Sequence, residues 1–511
     1  MAQLLTTAID YTNGSPHIGH AYEKLLADAL ARYRRLRGED VLFLTGVDQH
    51  GQKVQQSARK QGLEPSEYVE GITRKFLDLW EVLGIQYDRW AATTDPVHKN
   101  CVRGILQRLW EEGHFYKASQ RGFYSVRQEQ FVTDKERGPD GEFGEEWGEV
   151  VELDEENYYF RLAEHREWLL GLIDERESEG RPFVLPSYRG VELRNAVERL
   201  SGDLCISRPK SRLAWGIEFP FDPDYVTYVW FDALVNYLSF AGFDPSPGAD
   251  NSECFSRWPA LHVIGKDILV PPHGVYWPIM LKACGLPVEK MPTLLVHGWW
   301  NISGSKMSKS TGNIVDPAEL VATYGLSATR YYLLADIATG RDADFSNERL
   351  VARYNSELAN GLGNLLNRSL SMARRYREGR LRKISASPLA EAASTLCSAY
   401  AHSMDACEIH TAIDAIGQLV VRANAFVEES APWKLAKDPG AADKLDEVLY
   451  SLAETLRILS VLLEPVLPVA AAEIRRQLAW GGDVVWTAAT WGGLADGHQL
   501  GEPAPVFPRI E

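Results

Sequence analysis

The chain has 511 residues, of which 45% are hydrophobic and 24% are charged. This composition is typical of a folded protein with several domains and excludes a largely disordered chain. A net charge of −16 disfavours indiscriminate binding to polyanions, so any contact with nucleic acid must come from a local patch. Since no run of about 18 apolar residues and no signal peptide are recognised, we expect a cytoplasmic protein.

The six cysteines are scattered along the chain and include no C-x-x-C pair. Small secreted proteins and zinc ribbons concentrate their cysteines at short, regular spacings. The sequence therefore predicts neither a disulfide framework nor a zinc ribbon, and it favours a reducing compartment.

The N-terminal residues have the pattern of a strand, a helix and a second strand. LLTTAI (Leu4 to Ile9) predicts a buried strand, and Ser15 is expected to cap a helix with Pro16 in its first position and Gly38 at its end. The segment DVLFLTGVD then predicts the next strand. A βαβ unit implies a parallel sheet with a ligand site at the C-terminal ends of its strands.

The sequence HIGH, His17 to His20, lies at the predicted start of this helix. His17 and His20 share one face of the first turn, where unpaired N–H groups and the helix dipole attract anions. Two imidazoles can donate to phosphate oxygens there, and Gly19 lets a nucleotide approach closely. The motif predicts a phosphate site, although alone it leaves open a packed surface histidine.

The later segments predict an interrupted sheet followed by helices. The acidic, glycine-rich stretch from Gly122 to about Leu200 is interpreted as an insertion. LHVIGKDI (261–268) and TLLVHGWW (293–300) predict further buried strands. From about Ser346 the hydrophobic pattern has a long helical period, which indicates a separate helical domain.

A polar loop, GSKMSKSTGN at Gly304 to Asn313, follows the last of these strands. Lys306 and Lys309 are predicted to close as cations over the phosphates of a bound triphosphate. The alternative is a flexible loop with no role in binding. The HIGH motif in the same predicted sheet argues strongly against that alternative.

HIGH and KMSKS resemble the two signatures of class I aminoacyl-tRNA synthetases, and the chain as a whole resembles the bacterial methionyl-tRNA synthetase family. The resemblance implies an α/β fold: a Rossmann-like parallel-sheet catalytic domain with an inserted connective domain, followed by an all-α anticodon-binding bundle. The implied bounds are 1–115 and 206–300 for the two halves of the catalytic domain, 116–205 for the insertion, 301–348 for the KMSKS loop and stem-contact region, and 349–511 for the helical domain.

The resemblance also assigns a site for methionine and ATP. The implied methionine-binding residues are Ile9, Tyr11, Asp48, Trp230, Ala233, Leu234, Tyr237, Ile268 and His273, with Trp277 nearby. Asp48 would hold the substrate ammonium group, and Tyr237 would donate its hydroxyl to the sulfur. The implied ATP-binding residues are His17, Gly19, His20, Gly265, Asp267, Lys306 and Lys309, of which the two histidines and two lysines are catalytic. For VWFDALVNY a plain amphipathic core segment is the alternative.

Three departures from the family pattern bear on this assignment. One extra residue separates Ile268 from Trp277, in the segment that carries His273. Asp10 stands where the family usually has a bulkier or cyclic residue, and Leu234 stands where proline is common.

In the insertion, Ser125 and Gln128 occupy the places of the first cysteine pair of a zinc-binding knuckle that many relatives carry. Neither side chain is a structural zinc ligand. We therefore expect no zinc and a knuckle held by packing.

In the helical domain, the resemblance places the anticodon readers on Asn364, Arg368 and Trp433. A Trp can stack on an unstacked base while Asn and Arg bond base edges; otherwise a capping Asn, a surface Arg and a core Trp would be favoured. The basic run from Ala373 to Lys383 is a second candidate patch, with a solvated helix end as the favoured alternative.

The function implied is ATP-dependent ligation of L-methionine to tRNA(Met) through methionyl-adenylate, with Mg²⁺, by a monomer. Three alternatives remain: a small nucleotidyltransferase, another class I synthetase, and a synthetase-derived protein that binds tRNA without catalysis.

Overall fold

The computed structural model describes residues 2–126, 130–132, 134–138, 140–302, 304–306 and 314–511. Its strands are β1 (Ala2–Thr7), β2 (Asp10–Tyr11), β3 (Asp40–Asp48), β4 (Arg89–Ala92), β5 (Phe115–Ser125), β6 (Gln130–Val132), β7 (Val150–Phe160), β8 (Val184–Leu185), β9 (Leu204–Cys205), β10 (Ser207–Pro209), β11 (Tyr225–Thr227), β12 (Leu261–Gly265), β13 (Thr293–His297), β14 (Trp300–Ile302), β15 (Ser305–Lys306) and β16 (Ala343–Asp344).

The helices are α1 (Ile18–Leu36), α2 (Gln52–Gln61), α3 (Pro65–Val82), α4 (Pro96–Glu111), α5 (Arg166–Ser178), α6 (Gly190–Glu198), α7 (Val229–Ser239), α8 (Ser252–Ser256), α9 (Trp277–Ala283), α10 (Pro317–Tyr324), α11 (Leu326–Ala335), α12 (Asn347–Arg353), α13 (Asn364–Arg377), α14 (Pro388–Asp405), α15 (Ile409–Ser430), α16 (Pro432–Leu435), α17 (Ala442–Leu462) and α18 (Pro468–Gln477). Two π-helical segments, Leu269–Tyr276 and Tyr354–Gly363, precede α9 and α13.

A parallel sheet forms the centre of the N-terminal half, as predicted. Its strand order is β2-β3-β1-β12-β13-β8, with β4 also beside β3, and every pairing is parallel. Leu5 lies opposite both Phe43 and Leu261, and all three side chains are buried. Burial on both faces is the reason that these strands read as continuous apolar runs.

The first strand ends two residues earlier than predicted. Ala8 and Ile9 lie outside the ladder, and Asp10 and Tyr11 then pair again with the end of β3, opposite Val47 and Asp48. The chain thus leaves the sheet at its C-terminal edge, where a ligand site is expected.

The insertion contains an antiparallel sheet in the order β6-β5-β7-β9. Its main ladder pairs Phe115 with Phe160 at one end and Ser125 with Val150 at the other. Side chains of β5 and β7 alternate between exposed and partly buried positions, which is the pattern of a sheet with one solvent-exposed face.

The C-terminal part is helical, as the periodicity predicts. The leucine series of α17 and its end, Leu445 to Leu463, is almost wholly buried. Arg330 of α11 joins this bundle to the first half, because its guanidinium bonds Asp28, the Leu83 carbonyl and the Val466 carbonyl.

The basic run after Ala373 faces the chain's own carboxylates. Arg374 pairs with Glu502, and Arg382 pairs with Asp443. This arrangement fits the helix-end alternative better than a nucleic-acid patch. Among the described residues, no helix combines the length and the apolar character needed to cross a bilayer.

Candidate functional site

A cavity of about 670 Å³ lies at the C-terminal ends of β1, β3, β12 and β13, between α1 and α7. The predicted site residues that line it are Ile9, Tyr11, His17, Gly19, His20, Asp48, Trp230, Ala233, Leu234, Tyr237, Gly265, Asp267, Ile268 and His273. Lys309 and the side chain of Lys306 lie outside the described part of the chain. Residues from six separate segments therefore converge on one cavity.

The sequence analysis missed several residues of the cavity wall. These are Ala8, Asp10, Glu23, Lys53, Val229, Asn236, His297, Gly298, Trp299 and Trp300. One signal for them was present, because charged residues, Glu23 among them, interrupt the apolar buried stripe of α1.

The helix that carries HIGH begins later than predicted, and the cap is a histidine rather than Ser15. His17 is the N-cap of α1, and its Nδ1 accepts a hydrogen bond from the Gly19 N–H at 3.1 Å. The His17 N–H in turn donates to Nδ1 of His20, also at 3.1 Å. The prediction that Ser15 caps the helix and Pro16 occupies its first position was wrong, because the two hydrogen bonds between His17 and the first turn form a capping box instead.

The same bonds orient both imidazoles so that each can donate a hydrogen bond from Nε2. Each Nδ1 accepts from the backbone, so a neutral ring carries its hydrogen on Nε2. The two ring centroids are 3.9 Å apart, and both rings line the cavity. The turn thus presents two side-chain donors beside a helix N-terminus, which suits an anion.

Asp48 ends β3 at the cavity wall and is 5% exposed. Thr12 holds this strand end, because its N–H and its Oγ1 both donate to the Asp48 carbonyl at 2.9 Å. Oδ1 of Asp48 accepts from the His50 N–H at 3.3 Å. A sheltered carboxylate at a cavity wall attracts a cationic group of a ligand.

Helix α7 supplies the apolar wall through Trp230, Ala233, Leu234 and Tyr237. The Tyr237 hydroxyl lies 2.8 Å from Nε2 of His273. Methionine ends in a flexible apolar chain with a weakly accepting sulfur, and a wall of this composition can enclose it.

The bond between Tyr237 and His273 has a definite direction. Nδ1 of His273 lies 3.0 Å from the Ile268 carbonyl and must donate to it, so Nε2 accepts the hydroxyl hydrogen of Tyr237. Burial lowers the pKa of His273 to about 4, which keeps the ring neutral. The structure thus directs this hydrogen to His273, an alternative to the donation to a methionine sulfur that the resemblance implies.

The segment between Ile268 and Trp277, where the resemblance implies one extra residue, is π-helical from Leu269 to Tyr276 with non-helical backbone at Val270. Trp277 is buried and donates its Nε1 hydrogen to Nε2 of His262 at 3.0 Å. Its ring centroid lies 5.5 Å from that of Tyr237, so Trp277 lies directly behind a residue of the cavity wall, and its place beside methionine stays a prediction.

A buried ionic chain lies beneath the cavity. The Lys24 ammonium donates to Asp10 Oδ1 at 2.7 Å and to Glu23 Oε1 at 2.8 Å. Glu23 Oε2 lies 3.1 Å from Nε2 of His297. Burial by itself lowers the pKa of Lys24, but the charges of Asp10 and Glu23 raise it above its usual value, so Lys24 stays cationic.

Gly265 and Asp267 lie where β12 ends. A Cβ at Gly265 would come within 2.7 Å of Asp267 Oδ1, so a larger residue here would crowd the carboxylate. The Trp299 Nε1 hydrogen is donated to that same oxygen at 3.2 Å. The strand end thus presents an oriented carboxylate beside an open backbone, which suits a ribose.

The structure brings together two of the three predicted anticodon readers. The Arg368 guanidinium lies 6.0 Å from the centroid of the Trp433 ring. The same guanidinium donates a hydrogen bond to Oε1 of Glu428 at 2.7 Å. Asn364 is exposed one turn earlier on the same helix, α13. A half-buried indole beside a guanidinium offers both stacking and hydrogen bonding to a base.

The predicted metal-free knuckle is described only in part. Ser125 Oγ donates to the Trp147 carbonyl at 2.5 Å, while Gln128 lies outside the described residues. Elsewhere, His114, Glu164 and His165 place ligand atoms within 4.8 Å of one another. However, the Lys282 ammonium lies 3.3 Å from Nδ1 of His165 and repels a second cation.

Two family sequence profiles match the chain. One, described as tRNA synthetases class I (M), matches residues 3–143 and 144–370, and the other, the anticodon binding domain of methionyl tRNA ligase, matches residues 380–511. Among relatives, the methionine–tRNA ligase of Deinococcus radiodurans is 44% identical over 99% of this chain and 74% of its own length. That of Caldanaerobacter subterraneus is 41% identical over 99% of this chain and 78% of its own.

Solved structures agree. The fold is similar to Mycobacterium tuberculosis methionyl-tRNA synthetase bound by methionyl-adenylate, with a TM-score of 0.92, 37% identity, and 99% of this chain and 100% of that chain covered. For the apo form of that enzyme the TM-score is 0.84 at 35% identity, with 100% and 99% covered. With both sequence signatures, the fold and the full-length matches in agreement, the chain belongs to the methionyl-tRNA synthetase family of class I aminoacyl-tRNA synthetases.

Proposed function

We propose that this protein activates L-methionine with ATP and transfers the methionyl group to tRNA(Met). The observation that carries the proposal is a single cavity that contains the HIGH histidines, the Asp48 carboxylate and the apolar wall of α7. The histidines suit the phosphates of a nucleoside triphosphate. The Asp48 carboxylate and the apolar wall suit the ammonium group and the side chain of an amino acid. The chain's membership of the family supports the same reaction.

Methionine is held at both ends in this proposal. Asp48 bonds the ammonium group, and the walls from α7 together with Ile9 and Ile268 enclose the side chain. The wall offers the sulfur no hydrogen from Tyr237, so selection of methionine rests on shape, apolar contact and the exclusion of polar side chains.

ATP lies on the α1 side of the cavity. Asp267 takes the ribose, Gly19 and Gly265 let the nucleotide lie close to the backbone, and His17 and His20 donate to the phosphates. Lys306 and Lys309 add positive charge as the phosphates react. Mg²⁺ supplies further charge neutralisation on the phosphates; we propose that it enters with ATP, because the nearby carboxylates of Asp10 and Glu23 already pair with Lys24.

Activation is a displacement at phosphorus. A carboxylate oxygen of methionine attacks the α-phosphorus of ATP, the bond to the bridging oxygen breaks, and pyrophosphate leaves with the electron pair. No proton has to move, since the nucleophile is already ionised. The protein therefore acts through positioning and through stabilisation of charge on the phosphates.

In the second step a hydroxyl oxygen of the terminal tRNA ribose attacks the methionyl carbonyl, and the bond from that carbon to the phosphate oxygen breaks. AMP leaves with the electron pair, while a phosphate oxygen of AMP takes the hydroxyl proton. Arg368, Trp433 and Asn364 read the anticodon in this proposal, supported by the contact between Arg368 and Trp433. We further propose a monomer that acts in the cytoplasm, without zinc in the insertion.

The test is exchange of labelled pyrophosphate into ATP with each of the twenty amino acids, with and without a zinc chelator. Exchange with methionine alone, unchanged by chelation, supports the proposed activation and the zinc-free insertion. Exchange with another amino acid refutes the pocket assignment. Absence of any exchange, together with binding of tRNA, favours the alternative of a tRNA-binding protein without catalysis.

A further inference from the structure

Asp232 lies in the first turn of α7, the helix that forms one wall of the cavity, yet its side chain is fully buried behind that wall. Its neighbours Trp230 and Ala233 line the cavity, whereas Asp232 does not. A buried carboxylate is strongly destabilising unless other groups bond both of its oxygens. The partners of Asp232 therefore indicate its role.

Two histidines from separate segments bond the two oxygens. Nδ1 of His50 lies 2.7 Å from Oδ2, and Nε2 of His98 lies 2.8 Å from Oδ1. The other ring nitrogen of His98 lies 2.8 Å from Ser239 Oγ at the end of the same helix. Burial alone raises the pKa of Asp232, but the charge and hydrogen bonds of His50 and His98 lower it to about 2. Asp232 is thus a permanent acceptor for both rings.

His50 belongs to the turn that carries Asp48. Its backbone N–H donates to Asp48 Oδ1 at 3.3 Å, while its ring reaches back to α7. The turn is held at a second point by the Trp215 Nε1 hydrogen, donated to the Gln49 carbonyl at 2.5 Å. At Gly51 the backbone has φ +106°, and a Cβ would meet the Tyr11 hydroxyl at 2.5 Å. The turn is therefore pressed against the cavity, and His50 ties it to the opposite wall.

We infer that Asp232 is a positioning residue that sets, through His50, the place of Asp48 relative to the α7 wall. The inference rests on the proposed function, in which Asp48 holds the ammonium group and α7 encloses the side chain. Asp232 and His50 are 182 residues apart in sequence. Their bond keeps the distance between the two halves of the amino-acid site constant, which a substrate held at both ends requires.

The test is methionine-dependent pyrophosphate exchange, with methionine and ATP varied separately. In Asp232→Asn and His50→Ala we expect the KM for methionine to rise about tenfold or more and the KM for ATP to stay within about twofold. The double variant should be no worse than the more affected single variant, because both changes break one connection. His50→Asn, whose amide nitrogen takes roughly the place of Nδ1, should recover most of the loss.

His98→Ala is the matched control. It removes the bond to the other oxygen of the same carboxylate and leaves a similar buried gap, but His98 belongs to α4 and not to the turn that carries Asp48. We expect it to lower stability while the KM for methionine stays within about threefold.

The inhibition constants of two methionine analogues distinguish a positioning role from a general loss of structure, which would weaken the binding of both. L-Methioninol keeps the ammonium group and lacks the carboxylate, whereas 4-(methylsulfanyl)butanoate keeps the carboxylate and lacks the ammonium group. In His50→Ala and Asp232→Asn, we expect the Ki of methioninol to rise with the KM and the Ki of the deaminated acid to stay unchanged.

The inference is wrong if the folded variants keep the wild-type KM for methionine, if His98→Ala raises it as much as His50→Ala, or if both inhibitors weaken alike. Should Asp232→Asn fail to fold, the comparison of His50→Ala with His50→Asn still tests the inference. Failure of the proposed function is a different result: the wild-type protein shows no exchange with methionine, or Asp48→Asn keeps the wild-type KM.

Discussion

The Lys24 ammonium lies 2.7 Å from Asp10 Oδ1, and neither side chain is more than 5% exposed. Glu23 adds a second carboxylate at 2.8 Å. Asp10 and Glu23 line the cavity, whereas Lys24 lies beneath it. One buried cation therefore holds two acidic residues of the cavity floor in place.

Replacement of Lys24 by Met should destabilise the protein. It leaves two neighbouring carboxylates buried without their cation, and removal of one partner of a buried pair costs about 3–5 kcal/mol. Urea unfolding followed by circular dichroism measures the change. The double variant Asp10→Leu, Lys24→Met removes one charge of each sign and should recover part of the loss; a single-variant loss below about 1 kcal/mol would refute the role of Lys24.

Replacement of His17 by Asn should separate capping from chemistry. Asn is a good N-cap residue, so the free energy of unfolding should change by less than about 1 kcal/mol. The Nε2 donor is lost, and kcat for pyrophosphate exchange should fall on the order of 10²–10³-fold. An unchanged kcat in a stable His17→Asn protein would show that His17 only caps α1.

Replacement of Tyr237 by Phe tests the direction of the bond to His273. Because the hydroxyl hydrogen is directed to His273, its loss should not selectively impair sulfur recognition. We expect the ratio of kcat/KM for methionine to that for norleucine, which has a methylene in place of sulfur, to stay within about twofold. A tenfold fall in that ratio would restore the interpretation that Tyr237 donates to the sulfur.

Two buried neutral histidines should make stability depend on pH. Burial lowers the pKa of His273 to about 4 and that of His262 well below its usual value. Below about pH 6.5 the unfolded chain takes up protons that the folded protein does not, so stability falls as the pH drops from about 6.5 towards 4.

Each of these histidines contributes up to about 1.4 kcal/mol per pH unit to this slope. Urea unfolding between about pH 7.5 and 5 measures it, above the range in which most carboxylates titrate. His273→Gln should make the slope shallower by about one histidine's share. An equally steep slope in that variant would contradict the assignment.

Replacement of Trp433 by Ala should weaken tRNA recognition alone. Loss of a stacking platform costs about 1–3 kcal/mol per base, so the KM for tRNA should rise about 5- to 150-fold while methionine-dependent exchange is unchanged. Trp433→Phe keeps an aromatic face and should lose less. Equal aminoacylation kinetics for Trp433→Ala and the wild type would remove Trp433 from the anticodon site.

Much of the architecture follows from local patterns. The strand Asp40–Asp48 lies where its apolar run predicts it, and the leucine series from Leu445 to Leu463 is buried as its period predicts. Such patterns are informative because burial repeats with the period of the element itself. The family membership was predicted from two short motifs and is confirmed by full-length matches.

The helix start was the clearest local error. Ser15 and Pro16 form a standard start signal, but the cap is His17, whose ring accepts a backbone hydrogen bond and is paired with His20. A rule based on the usual capping residues cannot anticipate an imidazole in that role.

The sequence by itself determined the class of fold, the family and many, but not all, of the residues that line the cavity. The tertiary structure alone decided which of their polar atoms face one another. Tyr237 donates to His273, Lys24 joins Asp10 to Glu23, and Asp232 joins α7 to the turn of Asp48. Apolar burial is encoded residue by residue along each element, whereas a buried polar atom must find one particular partner, and chain folding brings that partner from a distant segment.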